Sequence, residues 1–455
     1  MKISRLLLRA LLPLLAAASG LCAEGPQVFA IRNARIVPVS RVPIEKGTVV
    51  VRDGLIEAVG ANIEPPADAW VIDGAGLTVY PGLIDAVSTW GMPGATPVAT
   101  STSATRSSTP TTTFTATITG PIKVINGPED RPSNTSYLKA ADEIVPTDRS
   151  IELARNAGFT TAITFPIPNI FAGQGAILNL GGERLGQMIV NPSAGMYINF
   201  NGNSGRIGVR QFPSSVMGVI AYIRQIYLDA DHYKLANEIY AKHPQGLQRP
   251  AYDRTLVAVL ESPRVLLPAT RAVEVDRMIR FGQELKRSTV IYGGAEAYRS
   301  ADVLKQSKTP ILINLRWPER LPTADPENPD SLRVLEMRDK APSAPGVLAA
   351  AGVKFALYAG SLTSPRDVTR AVRKAIEAGL SAADAVRAMT LSPAEIFNIA
   401  DRLGSIDKGK IANLVITDGE LFQEKTKVKY VFVDGMKYEP TADTGTPRVI
   451  GESAQ

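Results

Sequence analysis

Apolar and polar residues alternate with a period of two through Val28 to Val39 (VFAIRNARIVPV), then in GTVVVRDGLIEAVG and in WVIDGAGLTVYPG, which ends at Pro81-Gly82. Such alternation predicts short strands buried on one face. Arg52-Asp53-Gly54 separates two apolar runs, and Asp-Gly supplies the positive φ of a tight hairpin. The pattern returns near the other end, in GSIDKGKIANLVITDG and VKYVFVDGMKYE. Neither segment has enough apolar face to fold alone, which predicts one small β-sandwich built from residues 28–79 and 404–438.

Between these ends the period changes. GFTTAITFP follows the helix-like DRSIELARNA; RVLLPA leads into EVDRMIRFGQELKR, STVIYGG, AEAYRSADVLKQS and TPILIN; GVKFALYAG leads into SPRDVTRAVRKAIEAG. Strand–helix repetition with short connections predicts an α/β domain with a parallel sheet, and its length suits a (β/α)8 TIM-like barrel. The expected order is residues 24–82 as the first part of the sandwich, 83–399 as the barrel, 400–440 as the second part and 441–455 as a flexible tail. Two insertions interrupt the barrel. Residues 100–119 hold fourteen Ser or Thr in twenty positions, readable as a flexible surface loop or as a ribbon beside the barrel mouth. Residues 216–243 read as an amphipathic helix.

The first 23 residues stand apart. Lys2 and Arg5 precede an apolar run to Leu21 broken by Arg9, and Ala23 offers a small residue before Glu24. The uninterrupted apolar part is too short to span a bilayer, so a cleaved secretory signal is expected, with a retained anchor as its rival. A secreted, periplasmic location follows.

Composition narrows the chemistry. The 455-residue chain is 45% hydrophobic and 21% charged, as globular proteins are, and its net charge is +6. Losing the leader leaves 47 basic and 44 acidic residues, with no basic run interleaved with aromatics, so nucleic acid is not an expected partner. Cys22, the only cysteine, belongs to the leader, which removes disulfides, a thiolate nucleophile and Cys ligands from the mature chain. The two histidines, His232 and His243, lie in the helical insertion, eleven residues apart. They read as solvated or capping residues rather than as a ligand pair. A Ser–His–Asp arrangement has no His near a strand end and no G-x-S-x-G elbow. The glycines of GQGAILNLGG lack the context of a phosphate loop and read as a turn.

YPGLIDA, residues 80–86, resembles the phrase that introduces the first barrel strand of the amidohydrolase superfamily, which includes imidazolonepropionase-like, dihydroorotase-like and prolidase-like metal hydrolases. SPAEIFNIADRLGSIDKGKIANLVI is similar to the segment where that family's barrel hands back to its sandwich, with Asn413 where Asp is usual. AGFTTAITFPIPNIFAGQGAILNLGG resembles the family's secreted imidazolonepropionase-like branch. The resemblance covers nearly the whole mature chain. It implies the fold just described and one or two divalent metals at the barrel mouth, held by a His-x-His pair, a carboxylated Lys or a Glu, two further His and an Asp.

Carried over position by position, those ligands are replaced. Val87 and Thr89 stand at the His-x-His pair, Tyr197 at the Lys, Pro268 and Gly293 at the later histidines, and Gly360 at the Asp. No metal, cofactor or catalytic residue is therefore expected; Asp85, the one acid of the first strand, is expected to serve the fold. The remaining polar groups of the inferred mouth, Thr89, Tyr197, Thr270, Arg271, Tyr292, Glu296 and Tyr358, are candidate ligand-binding residues. Arg271 and Glu296 read either as a clamp for a carboxylate or amide or as a salt bridge closing the mouth. Three functions stay open: a non-catalytic ligand-binding or partner subunit, beside an intact amidohydrolase relative or as a homo-oligomer; a C–N hydrolase with an atypical site; and a structural envelope protein.

Overall fold

The computed structural model describes residues 28–93, 131–167, 169–200, 213, 215–320, 325, 327, 329–360, 362 and 364–440. The leader, the Ser/Thr-rich insertion and the tail expected from the sequence lie outside these residues.

Sixteen strands form two eight-stranded sheets among the described residues. The first takes β1 (Val28–Ile36), β2 (Ile44–Arg52), β3 (Leu55–Gly60), β4 (Trp70–Asp73) and β5 (Thr78–Pro81) from one end of the chain. It takes β14 (Leu414–Thr417), β15 (Val428–Val433) and β16 (Met436–Tyr438) from the other. Its order is β16-β15-β14-β5-β1-β2-β3, with β4 paired to β1. The ends meet where β5 runs antiparallel to β14, with Tyr80 opposite Val415. Phe29, Ile31, Val49, Val79, Leu414 and Phe432 form its core, as the alternation requires. The two Asp-Gly hairpins touch. Asp53 and Gly54 have φ of 49° and 79°, Asp434 and Gly435 of 51° and 75°. A Cβ on Gly435 would meet the Gly54 Cα at 2.7 Å, so both turns need glycine for conformation and one also for space.

The second sheet curls into the barrel: β6 (Leu83–Ser88), β7 (Phe159–Thr164), β8 (Phe171–Asn179), β9 (Ile189–Ile198), β10 (Val265–Ala269), β11 (Thr289–Gly293), β12 (Ile311–Asn314) and β13 (Phe355–Tyr358). Helices follow β10, β11, β12 and β13, as the alternating pattern predicts. One strand departs from the parallel arrangement. β8 is antiparallel to both β7 and β9, making a meander of the segment whose glycines read as a turn. Gly173 and Gly175 instead lie inside β8, where the Leu138 carbonyl and the Phe165 ring approach too closely for any side chain. The insertion forms the helix Val216–Lys242, capped by Ser215 and packed through Tyr222, Ile223, Ile226 and Tyr227. His232 and His243 are both exposed, and His243 ends that helix.

Two buried polar groups hold the assembly together. Asn413, just before β14, donates to Thr161 Oγ1 at 3.0 Å and Asn179 Oδ1 at 2.7 Å, and its oxygen accepts the Asp434 N–H at 2.8 Å. It ties barrel strands β7 and β8 to the sandwich, using donors that the family's usual Asp lacks. Asp85 acts at the seam between β6 and β13. Its Oδ1 accepts the Ala359 N–H at 2.8 Å across 274 residues of chain.

Burial pushes the Asp85 carboxyl up to about 8, against the Ala359 and Val87 amides, which pull it down. The folded chain therefore holds this proton to higher pH than the unfolded chain, whose carboxyl ionises near 3.8. Its contribution to stability is full below about pH 4 and is lost as the pH rises through about 8. Unfolding free energies at pH 5 and pH 9 are expected to differ by a few kcal/mol more in the wild type than in Asp85→Asn, which cannot titrate. Asn413→Ala is expected to destabilise by roughly 1–3 kcal/mol at every pH, since it removes hydrogen bonds to the buried Thr161 and Asn179 side chains and to the Asp434 amide. Denaturant titration measures both.

Candidate functional site

Inward-facing residues fill the barrel in layers. Ile84, Ile163, Leu266, Val290, Leu312 and Ala356 form one apolar cluster, closed at the strands' amino ends by Ile396, Phe397 and Ile399. A register irregularity between Asp85 and Ser88 changes the phase of β6, so that Ala86 and Val87 both meet this cluster. Val87 thus presents an isopropyl group toward the mouth where the family resemblance places an imidazole.

The mouth itself is aromatic. Tyr197 on β9 stacks on Tyr292 of β11 with ring centres 4.8 Å apart and planes at 25°. Phe165, just past β7, stacks on the other face of Tyr197 at 5.2 Å and 30°. Such offset stacks add about 0.5–1.5 kcal/mol per pair beyond area burial. The Phe165 ring reaches this position because Gly175 has no side chain beneath it. Tyr292 donates from its hydroxyl to the Ile198 carbonyl at 2.8 Å, fixing the stack to β9.

Three phenols gather here. Burial raises the pKa of the Tyr197 hydroxyl, and raises that of Tyr292 further because Tyr197 and Tyr358 add to it. Tyr358 is raised chiefly by burial, then by Tyr197 and Asp85. All three remain neutral hydroxyls through any physiological pH, so none serves as a base.

At two further positions that the family resemblance assigns to ligands, the structure leaves no room for a side chain. Gly293 has φ of 117°, and a Cβ there would lie 2.7 Å from the Ala269 carbonyl oxygen. Gly360 has φ of 58°, and a Cβ there would fall within the side chain of Asn314. That amide, at the end of β12, accepts the Arg316 N–H at 2.8 Å. Pro268 stands opposite Tyr292 in the β10–β11 register, and both it and Thr89 are half-buried. Neutral phenols, a valine, a threonine, a proline and two glycines do not match the imidazoles and carboxylates that a zinc-type centre takes. Among the described residues no group of three or more His, Cys, Asp or Glu could hold a metal ion.

The sequence candidates divide into two places. Tyr197, Tyr292 and Tyr358 come together. Arg271 and Glu296 do not pair with each other. Arg271 bonds Glu274 at 2.6 Å, and the Thr270 and Arg271 amides donate to Glu274 Oε2 at 2.9 and 3.0 Å. Both residues are exposed, at the start of the helix Ala272–Glu284. The i,i+3 spacing of Arg271 and Glu274 is a local capping signal in the sequence. Glu296 is buried; it accepts the Ala272 N–H at 3.0 Å and faces Arg333 at 3.4 Å. Asn314 and Phe165, which shape the mouth, had no sequence signal beyond lying at strand ends.

The family model for the amidohydrolase family matches residues 301–437, from the helix before β12 to β16. No curated protein matches the chain. Among solved structures, an amidohydrolase from Thermotoga maritima MSB8 is 27% identical, with a TM-score of 0.70 over 90% of this chain and 100% of that one. A prolidase complexed with N-methylphosphonate-L-proline is 16% identical, with a TM-score of 0.52 over 90% of this chain and 99% of that one. Molinate hydrolase is 15% identical, with a TM-score of 0.52 over 94% and 98%. The last two share the fold. Together with the barrel and the two-ended sandwich, these likenesses show that the chain has the amidohydrolase fold, with its carboxy-terminal segment matching that family's model.

Proposed function

We propose that this protein is a non-catalytic amidohydrolase: a secreted, periplasmic ligand-binding or partner subunit that retains the fold without the hydrolytic centre. The observation that carries this reading is the stack of Phe165, Tyr197 and Tyr292 in the barrel mouth. Tyr197 stands where the family resemblance puts a metal-bridging Lys, so on this reading the rings fill the space that a metal centre would need. Hydrolysis of a C–N bond needs an activated water and a group to move its proton. Neutral buried phenols supply neither.

Elemental analysis after purification in zinc-supplemented buffer is expected to find well under one zinc per chain. About one equivalent, lost on chelation together with amide or lactam hydrolysis, would overturn the reading in favour of an atypical hydrolase. Restoring histidines with Val87→His and Thr89→His is expected to lower the melting temperature without creating hydrolysis. Two imidazoles fall short of the three or four ligands that a zinc site takes.

The stack can also be tested as the element that holds the mouth. Gly175→Ala forces the Phe165 ring off Tyr197 and is expected to destabilise by roughly 1–3 kcal/mol. With Phe165→Leu in the same chain the cost of the added methyl should fall, a coupling that a double-mutant cycle in denaturant reads directly.

A further inference from the structure

A cleft of about 590 Å³ opens outside the barrel, between segments that follow β10, β11 and β12. That volume lies in the usual range for small-molecule sites. Its floor is the carboxylate of Glu296, 3% exposed. One oxygen accepts the Ala272 N–H at 3.0 Å, while Arg333 stands 3.4 Å from both oxygens, its side chain 59% exposed. Charge-assisted bonds between guanidinium and carboxylate close to about 2.7–2.9 Å when nothing holds them apart. The Glu296–Arg333 pair is therefore loose, and each partner can take a tighter one. Arg299 and Glu336, ion-paired with each other, complete the charged lining.

The wall opposite Glu296 is the helix Leu332–Lys340, none of whose residues is buried. Leu332 is 82% exposed and lines the cleft facing Val273, which is itself exposed. Two cations, two anions and an apolar rim complement a ligand of no net charge that carries both signs and a hydrocarbon arm.

We infer that this cleft binds a free α-amino acid with an aliphatic side chain. Its ammonium pairs with Glu296 and its carboxylate with Arg333, so one long ion pair becomes two short ones. Its side chain covers Leu332 and Val273. A ligand with only one charge would form one new short ion pair instead of two, and so would gain less. The inference does not depend on the state of the barrel mouth.

Calorimetric titration of the purified protein with L-leucine, isovalerate and isoamylamine tests it. Leucine should bind saturably and raise the melting temperature, and each single-charge analogue should bind at least about tenfold more weakly. Arg333→Ala and Leu332→Asn change exposed side chains; each should weaken leucine binding by about tenfold or more with the fold intact. Met217→Ser, on a different exposed face, should bind leucine as the wild type does. Absence of saturable leucine binding up to about 10 mM, analogues binding as well as leucine, or wild-type affinity in Arg333→Ala would each overturn the proposal. Zinc content and hydrolysis bear on the non-catalytic reading alone, so the two can fail separately.

Discussion

The barrel depends on one buried carboxyl. Eight strands pair in succession from β13 to β6, and the two outer strands must then be joined without a regular ladder between them. On β6 the Ile84 amide turns to the Met389 carbonyl at 2.7 Å. Asp85 supplies what the backbone does not: a side-chain acceptor for the Ala359 amide of the facing segment. An unpaired amide there would carry its full desolvation cost. Because Gly360 and Tyr358 flank Ala359, and Val87 follows Asp85 by two residues, this one contact also sets the geometry of the mouth. Fold and barrel mouth are thus linked through the same few residues.

The same constraint bears on how the mouth is filled. Inward imidazoles and carboxylates are compatible with burial when an ion compensates them, and destabilising when it is absent. Five of the six positions that the family resemblance assigns to ligands carry a group with no such requirement. Val87 and Pro268 are apolar, Gly293 and Gly360 have no side chain, and Tyr197 stacks rather than coordinates. The polar atoms that remain are satisfied within the protein: Tyr292 by the Ile198 carbonyl, Asn314 by the Arg316 amide. The result is a mouth that packs as a core does.

Much of this was legible in the residues. Asp-Gly hairpins and period-two alternation are local signals, so the sandwich built from both chain ends followed from them. Strand direction was not legible. β8 reads as apolar whichever way it runs, and its glycines report the close approach of Phe165 and Leu138, a tertiary fact, as readily as a turn. Arg271 and Glu296 looked like partners because both were placed at the mouth. The structure gives Arg271 a nearer carboxylate three residues on, and gives Glu296 a cation from a helix 37 residues away.

At Gly360 an aspartate would put its Cβ in the space that Asn314 fills. Moving Asn314 would in turn release the Arg316 amide. At Tyr197 the obstacle is of the same kind: a lysine would abandon two stacked rings, leaving Phe165 and Tyr292 around a void. At both positions the ligand that the family resemblance implies is opposed by a packed neighbour, so it cannot be introduced there without disturbing the mouth.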